Sequence, residues 1–268
     1  MTLLSVKNLS VSIHEQPIIK NVSFNLGAGE ILALTGESGS GKSISALALM
    51  GLLPQGSKKE GIINFEGKDL NKISESNFCK LRGKKISMVF QEPMTALNPV
   101  QSIGKQISET LIQHKACAPN ELKDRVRKAM DRVGLNGIDP SRFPHQLSGG
   151  QRQRVVIAMA ICLEPSILIA DEPTTALDVT IQAQILQLIK DIQREENMSV
   201  LLITHDLGVV AETCEKVAVM YKGKIVEQAT VDEIFTNPMN DYTKGLLNAI
   251  PKGGKNRLEV PDLDGVDA

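Results

Sequence analysis

Hydrophobic residues follow two different spacings along this chain. Residues 4–13 and 18–26 alternate between apolar and polar positions, which is typical of strands that bury one face. We expect a turn between them at Gln16-Pro17 and a further strand at residues 61–65. The alternation therefore predicts an antiparallel sheet in the N-terminal part of the protein.

Continuous apolar runs predict a second, more deeply buried sheet. Four such runs, typical of strands covered on both faces, lie at residues 31–34, 85–90, 166–170 and 199–204. Two shorter strands are expected at residues 217–221 and 224–227.

Apolar residues at helical spacing predict helices elsewhere, at residues 44–50, 103–114, 121–133, 155–163, 181–192, 231–235 and 242–249. Those in the middle of the chain form a helical subdomain, at about residues 91–158, inserted into the core. The pattern as a whole predicts an α/β protein with a mostly parallel core sheet. We expect one domain at residues 1–250 and a flexible tail at residues 251–268.

The composition permits one large domain and argues against several classes of function. The chain has 268 residues, 42% of them hydrophobic, and a net charge of −1. Because there is no basic excess, no tryptophan and only 3% aromatic residues, we expect no nucleic-acid partner. The four cysteines lack C-x-x-C spacing, so neither a zinc site nor a redox pair is expected. No signal peptide is evident, and the longest apolar run is far below the ~20 residues that span a bilayer.

The segment after residues 31–34 fits the phosphate-binding pattern G-x-x-x-x-G-K-[ST], the P-loop. Its residues are Gly36, Glu37, Ser38, Gly39, Ser40, Gly41, Lys42 and Ser43. Glycines let successive N–H groups point at phosphate oxygens, and a following helix adds partial positive charge at its N-terminus. We expect Lys42 to reach the β- and γ-phosphates and Ser43 to bind Mg²⁺. The alternative is a Gly/Ser-rich turn without a ligand.

Four polar residues follow the ends of predicted core strands, on the same side as the P-loop. Asp171 is a candidate Mg²⁺ ligand, and Glu172 is a candidate general base for an attacking water. His205 could donate to a γ-phosphate, and the amide of Gln91 could reach Mg²⁺ or the water. Taken singly, each also fits a structural role, such as a capped loop for the Asp-Glu pair.

A second glycine-containing segment, LSGGQ at residues 147–151, also precedes a helix. Ser148, Gly149, Gly150 and Gln151 would form a second anion-binding helix N-terminus. One nucleotide does not need two cradles in one chain, whereas two chains arranged head to tail would use both. We therefore expect an ATP-bound dimer.

In their order and spacing, the P-loop, Gln91, LSGGQ, ILIADE, TTALD and the strand-end histidine resemble the ATP-binding cassette (ABC) ATPases. The resemblance covers the chain to about residue 250. It implies that Gln91 senses the γ-phosphate and couples to a membrane subunit. It also implies that residues 148–151 bind the opposite chain's ATP and that Asp178 lies at the dimer seam.

The same resemblance assigns the chemistry to the residues already described. It implies hydrolysis of ATP with Mg²⁺, which Ser43, Gln91 and Asp171 would hold. Glu172 would be the general base, and His205 the switch histidine.

Longer segments narrow the resemblance to one branch of the family. GESGSGKS, FQEPMTALNP, ADEPTTALDVTIQAQIL, THDLGVVAE and GKIVEQATVDEIFTNPMNDYTKGLL are similar to the dipeptide, oligopeptide and nickel importers, in the first-type ATPase subunit of the pair. The resemblance implies a peripheral protein on the cytoplasmic face of the inner membrane. Its partners would be two permease subunits, a homologous second ATPase subunit or a second copy of itself, and indirectly an extracytoplasmic substrate-binding protein. Peptides, nickel or metal chelates are the implied cargo.

Two positions depart from the usual pattern of that branch. Members usually place an aromatic residue near the end of the first strand, where it stacks on adenine. Here the position is occupied by Ile13, followed by His14, so the alternatives are weak stacking on Ile13 and stacking on His14. The tail has no cysteine after Cys214, so we expect no iron–sulfur cluster of the kind that longer relatives carry there.

Alternatives from other classes remain open at this point. One is a soluble ABC ATPase that acts on ribosomes or nucleic acid without permeases. The interval between P-loop and LSGGQ lacks the sustained heptads of DNA-repair relatives, and the near-neutral charge also argues against it. A second alternative is an exporter, in which the cassette is often fused to membrane spans, and no such span is evident in this sequence. One half of a tandem-cassette ATPase is the last alternative, which the linker-like PKGGKNR keeps open.

Overall fold

The first two strands form an antiparallel hairpin. In the computed structural model, which describes residues 2–91, 96–175 and 177–249, β1 (Thr2–Ile13) pairs with β2 (Gln16–Gly27). The other side of β1 pairs with β4 (Ser57–Phe65), and the short β5 (Lys68–Asp69) completes a sheet of four. The predicted antiparallel sheet is therefore present.

The predicted turn at Gln16-Pro17 is wrong by two residues. The turn lies at His14 and Glu15, which have φ of 48° and 67°, and Gln16 pairs with Ile13 as the first residue of β2. Two consecutive residues with positive φ give a hairpin turn whose twist matches that of the strands. Pro17 is tolerated because β2 is an edge strand, where a missing N–H costs no ladder hydrogen bond.

The core sheet has six strands. In chain order these are β3 (Ile31–Thr35), β6 (Ile86–Val89), β7 (Ile167–Asp171), β8 (Ser199–Thr204), β9 (Lys216–Tyr221) and β10 (Lys224–Thr230). Their spatial order is β10-β9-β3-β8-β7-β6, and all neighbours are parallel except β10 and β9. Every residue of β3, β6, β7 and β8 is buried, which explains their continuous apolar sequences. Because these strands run in one direction, their carboxyl ends meet at one edge.

The described helices surround this sheet. They are α1 (Lys42–Met50), α2 (Glu75–Leu81), α3 (Ile103–Gln113), α4 (Leu122–Arg132), α5 (Gly149–Ile161), α6 (Val179–Glu196), α7 (Leu207–Thr213), α8 (Val231–Thr236) and α9 (Asp241–Asn248). The helices α3, α4 and α5 follow β6 in the chain and pack on one another. They share one apolar cluster with the core sheet, which includes Ile107, Met130 and Leu168. This cluster joins the helical region to the sheet that carries the strand ends.

Two of these helices have no counterpart in the predictions. The helix α2 has seven residues and buries only Phe78 among them, so it has no apolar periodicity to detect. The helix α7 begins with an apolar run that does not differ from a strand by pattern alone, and Asp206 caps it. In addition, α5 begins at Gly149, six residues before the predicted start, because Ser148 and Gln151 form a capping box there.

Two further predictions concern the tail and membrane-spanning segments. The predicted tail at residues 251–268 lies outside the described residues. No helix in the described ranges is long and apolar enough to cross a membrane.

Candidate active site

The P-loop connects the end of β3 to α1 with a backbone that requires glycine. Gly36 has a φ of 143°, a conformation reserved in practice for glycine. A Cβ at Gly36 would lie 2.1 Å from the carbonyl oxygen of Met220, at the end of the neighbouring strand β9. Gly41 precedes α1 without a side-chain cap, and the first turn of the helix has no acidic residue. The first N–H groups of α1 are thus left for an anion.

Lys42 is buried inside its own loop. Its Nζ donates hydrogen bonds to the carbonyl oxygens of Gly36 and Glu37, both at 2.8 Å. Burial lowers the pKa of Lys42, although the nearby carboxylates of Glu172 and Asp171 act in the opposite direction. The loop therefore holds an ammonium group at the centre of the curled backbone.

Ser43, next in sequence, faces the end of β7. Its Oγ donates to Oδ1 of Asp171 at 3.2 Å. Desolvation raises the pKa of Asp171, the bond from Ser43 lowers it, and the neighbouring Glu172 raises it further. A buried carboxylate with a raised pKa is a group that a cation would stabilise.

The donor set at this position fits Mg²⁺. Ser43 and Asp171 would offer a hydroxyl and a carboxylate oxygen and Gln91 an amide oxygen, and oxygen atoms are the ligands that Mg²⁺ prefers. Among the described residues there is no group of three or more His, Cys, Asp and Glu that could hold a metal ion by itself. A Mg²⁺ ion that took only some of its ligands from the protein, and the others from water and nucleotide phosphates, would agree with both observations.

Glu172 is the centre of a hydrogen-bond network at the strand ends. One carboxylate oxygen lies 3.1 Å from Nδ1 of His205, and the other accepts bonds from Gln91 Nε2 at 3.0 Å and from Thr175 Oγ1 at 2.9 Å. The backbone of Glu172 has a φ of 46°, and its N–H donates to the carbonyl of Ile203 in β8. The carboxylate is thus fixed on both of its oxygens and at its backbone.

The pKa of Glu172 reflects this network. Burial acts to raise the pKa, but the hydrogen bonds from His205 and Thr175 together with the nearby positive charge of Lys42 outweigh it, so the pKa lies below the usual value for glutamate. A cleft of about 210 Å³ lies between these residues and the start of α6. Glu172 is therefore an ionised acceptor that faces a space large enough for water.

Thr175 is a residue of this network that the sequence-based reasoning missed. It lies in the TTALD segment, three residues after Glu172, and its N–H also donates to the carbonyl of Glu172. A threonine three residues after an acid at a strand end is the only local signal, and it is also common in ordinary turns.

The LSGGQ segment begins α5 and contacts the start of α6. Ser148 Oγ accepts from the N–H of Gln151 at 3.3 Å, and the Gln151 side chain accepts from the N–H of Ser148 at 3.0 Å. A Cβ at Gly150 would lie 2.8 Å from Ile181 in α6, and one at Gly149 would lie 3.4 Å from Leu177. The glycines thus permit close approach of the two helices.

Two further candidate residues have clear local positions. Asp178 caps α6, because its Oδ1 accepts from the N–H of Ile181 at 3.0 Å. Ile13 ends β1, is half-buried and packs against the apolar cluster beneath the antiparallel sheet. His14 is exposed, and its N–H donates to the carbonyl of Gly56. The part that Ile13 plays toward adenine stays a prediction.

Comparison with known proteins identifies the family. A family model described as ABC transporter matches residues 19–175, which is more than half of the chain. The chain belongs to the ABC transporter family. This ABC ATPase is 51% identical to the Oligopeptide transport ATP-binding protein AppD of Bacillus subtilis (strain 168), over 93% of this chain and 79% of that protein. It is 50% identical to the Dipeptide transport ATP-binding protein DppD of the same organism, over 98% of this chain and 81% of that protein.

A solved structure agrees with the fold of this ABC ATPase. The ATP-binding cassette MJ0796, solved as a dimer in a post-hydrolysis state bound to ADP and Pi, superposes with a TM-score of 0.74. The two chains are 29% identical over 85% of this chain and 98% of that chain. The predicted fold class, the ATPase activity and the resemblance to importer ATP-binding subunits are thereby confirmed.

Proposed function

We propose that this ABC ATPase powers an importer of peptides, nickel or metal chelates, and that it acts in a dimer that encloses ATP between two subunits. The observation that carries the cargo class is the identity of about half of all residues with proteins named for oligopeptide and dipeptide transport. The residues of the site support the chemistry.

The P-loop would bind the phosphates. Its backbone and the uncapped start of α1 offer N–H groups, and Lys42 offers its ammonium group. Because the bonds to Gly36 and Glu37 already restrict the Lys42 side chain, little rotamer freedom remains to be lost when it turns to a phosphate oxygen.

Glu172 would receive the proton of the attacking water. Its lowered pKa keeps it ionised at neutral pH, and the bonds from Thr175 and Gln91 orient one oxygen. His205, on the other oxygen, would donate to the γ-phosphate once nucleotide is bound. A Mg²⁺ ion on Ser43, Asp171 and Gln91 would neutralise charge on the transferred phosphoryl group.

The LSGGQ segment would contact the ATP of the partner subunit. Ser148, Gly149, Gly150 and Gln151 begin α5, and Asp178 begins α6 beside them, so both helix starts belong to one surface. Two such chains placed head to tail would bring each segment to the other's P-loop. The dimeric structure of the MJ0796 cassette supports this arrangement.

The proposed partners follow from the importer role. They are two permease subunits in the inner or plasma membrane, a homologous second ATPase subunit or a second copy of this chain, and indirectly an extracytoplasmic substrate-binding protein. The protein would then act peripherally at the cytoplasmic face, with Gln91 and the helical region near the permeases.

The test is a pull-down from native membranes. A tagged Glu172→Gln chain is incubated with ATP, recovered from detergent-solubilised membranes and analysed by mass spectrometry. Two permeases and a second cassette are expected. The matched control is the Glu172→Gln/Lys42→Ala chain, which should lose the ATP-dependent part of this recovery. Recovery of ribosomal or nucleic-acid-bound proteins without a permease would overturn the importer proposal and favour the soluble alternative.

A further inference from the structure

The helix α9, the last in the described ranges, contacts the P-loop through one side chain. The hydroxyl of Tyr242, in the first turn of α9, accepts a hydrogen bond from the backbone N–H of Glu37 at 3.1 Å. Tyr242 is only 7% exposed, so its hydroxyl is largely shielded from water, whereas Glu37, which donates the bond, is exposed. A residue far along the chain thus contacts the second position of the phosphate-binding loop.

Several contacts hold Tyr242 in place. Its ring packs against that of Tyr221, the last residue of β9, with centroids 4.1 Å apart and an angle of 30° between the planes. The side chain of Asn240 caps α9 by accepting from the N–H of Tyr242 at 2.9 Å. The carboxylate of Glu227, in β10, accepts from the N–H groups of Met239 and Asn240 at 2.7 and 3.1 Å. The hydroxyl position is therefore set by both β9 and β10.

The same hairpin touches the P-loop at other points. The N–H of Gly223, in the turn between β9 and β10, donates to the carbonyl of Ser40 at 3.1 Å. The carbonyl of Met220 lies against Gly36 so closely that a Cβ would not fit. Residues of β9, of the turn after it and of α9 thus contact the P-loop.

The bond from Glu37 acts on the peptide group that holds Lys42. The N–H of Glu37 and the carbonyl of Gly36 belong to the same planar peptide unit and point in opposite directions. Tyr242 accepts from one side of this unit, while Lys42 Nζ donates to the other side at 2.8 Å. Because Gly36 lacks a Cβ, its backbone alone offers little resistance to rotation of this peptide. The tyrosine hydroxyl supplies the missing restraint.

We propose that Tyr242 is a positioning residue of the nucleotide site, which fixes the Gly36–Glu37 peptide and through it the Lys42 ammonium group that meets the phosphates. The inference rests on the proposed role of Lys42 in binding phosphate. It makes β9, β10 and α9 part of the functional site, although none of their residues touches the reacting atoms.

The experiment compares two single-atom deletions in the full chain. Tyr242→Phe removes the hydroxyl and retains the ring stack, and Tyr221→Phe removes a hydroxyl from the other ring of the same stack. For each variant the Kd for MgATP, the kcat at saturating ATP and the melting temperature are measured. Tyr242→Phe should weaken ATP binding roughly three- to tenfold, which corresponds to the loss of one neutral hydrogen bond. Its kcat at saturating ATP should change less than its Kd, and its melting temperature should fall by only about 2–4 °C, as the loss of one hydrogen bond predicts. Tyr221→Phe should bind ATP normally.

Two results would overturn the inference. The first is unchanged ATP affinity in Tyr242→Phe; if the melting temperature falls at the same time, Tyr242 is a purely structural anchor of α9. The second is equal weakening in both variants, which would mean that the ring stack matters and the hydroxyl does not. Lys42→Ala, measured in parallel, separates the proposals: normal ATP affinity there would overturn the role of Lys42 as well, whereas loss of affinity there together with normal Tyr242→Phe would overturn only the role of Tyr242.

Discussion

The P-loop and the LSGGQ segment look alike in sequence but are held in different ways. Both are glycine-containing and precede a helix. LSGGQ satisfies its own helix start through the capping box of Ser148 and Gln151, which are three residues apart. The P-loop has no side-chain cap at Gly41 and depends on β9 and α9 for its shape. Local sequence therefore specifies the signature segment, whereas the P-loop needs distant parts of the chain.

The largest effect on activity should come from a change that leaves both the P-loop and the LSGGQ segment intact. Glu172→Gln keeps the size of the side chain but removes the proton acceptor, and general base catalysis typically contributes 10²- to 10⁴-fold. We expect turnover to fall by about that factor while ATP binding persists, so that an ATP-bound dimer accumulates. Steady-state phosphate release and size-exclusion chromatography with ATP measure the two effects. Near-normal turnover would place the base elsewhere.

A pair of glycine substitutions tests the comparison directly. Gly36→Ala introduces a Cβ 2.1 Å from the carbonyl oxygen of Met220, in a backbone conformation that alanine avoids. It should lower the free energy of unfolding by more than ~2 kcal/mol and abolish most of the ATP affinity. Gly149→Ala places its Cβ 3.4 Å from Leu177, an ordinary contact at the limit, and should leave ATP binding by the single chain unchanged. Isothermal calorimetry and thermal unfolding of both variants provide the data. Equal loss of affinity in the two variants would contradict the distinction.

Removal of the signature cap should have a smaller effect and a different target. Ser148→Ala deletes the side chain that accepts from the N–H of Gln151, and loss of an N-cap costs about 1 kcal/mol. We expect a modest drop in the free energy of unfolding, weaker ATP-dependent dimerisation and an unchanged Kd for ATP in the single chain. Ser148→Asp retains a capping oxygen and is the matched control for stability. A weaker Kd for ATP in the single chain would show that the signature segment also supports the P-loop of its own chain.

The smallest predicted effect concerns the distant support of the P-loop. Burial acts to raise the pKa of Glu227, but hydrogen bonds, among them those from the N–H groups of Met239 and Asn240, outweigh it and leave the pKa below its usual value. Since the folded-state pKa is depressed, the stability that Glu227 contributes is present above its unfolded pKa of ~4.3 and is lost as the pH falls through the folded pKa.

The variant for this test is Glu227→Gln. It should lower the free energy of unfolding at pH 7, by less than Ser148→Ala does, and the difference from the wild type should shrink as the pH falls below about 4.3. Urea unfolding at several pH values measures this. A difference that stays constant across this range would mean that the charge of Glu227 does not stabilise the loop before α9.

Much of the architecture was predictable because it depends on short-range patterns. The alternation in β1 and β2 and the apolar runs of the core strands reflect burial on one or both faces, and both sheets are present. The predictions are wrong where a residue type fits two structures or where a helix is too short to show a period. The predicted hairpin turn is misplaced because proline is typical of turns, although an edge strand also accepts it. The helices α2 and α7 were missed because seven residues are too few for a period to show.

The sequence by itself determined the chemical groups of the candidate site and their order. Each motif of the site consists of neighbouring residues and can therefore be recognised in the sequence alone. These motifs are the P-loop, the Asp-Glu pair after β7, the histidine after β8 and the LSGGQ segment. The tertiary structure decided which of these groups meet. It placed Glu172 within hydrogen-bond distance of His205 and Gln91, and it brought Tyr242 against the N–H of Glu37. The physical reason is that parallel strands align their ends irrespective of sequence separation, and a hydroxyl that satisfies a distant backbone N–H leaves no periodic signal in the chain.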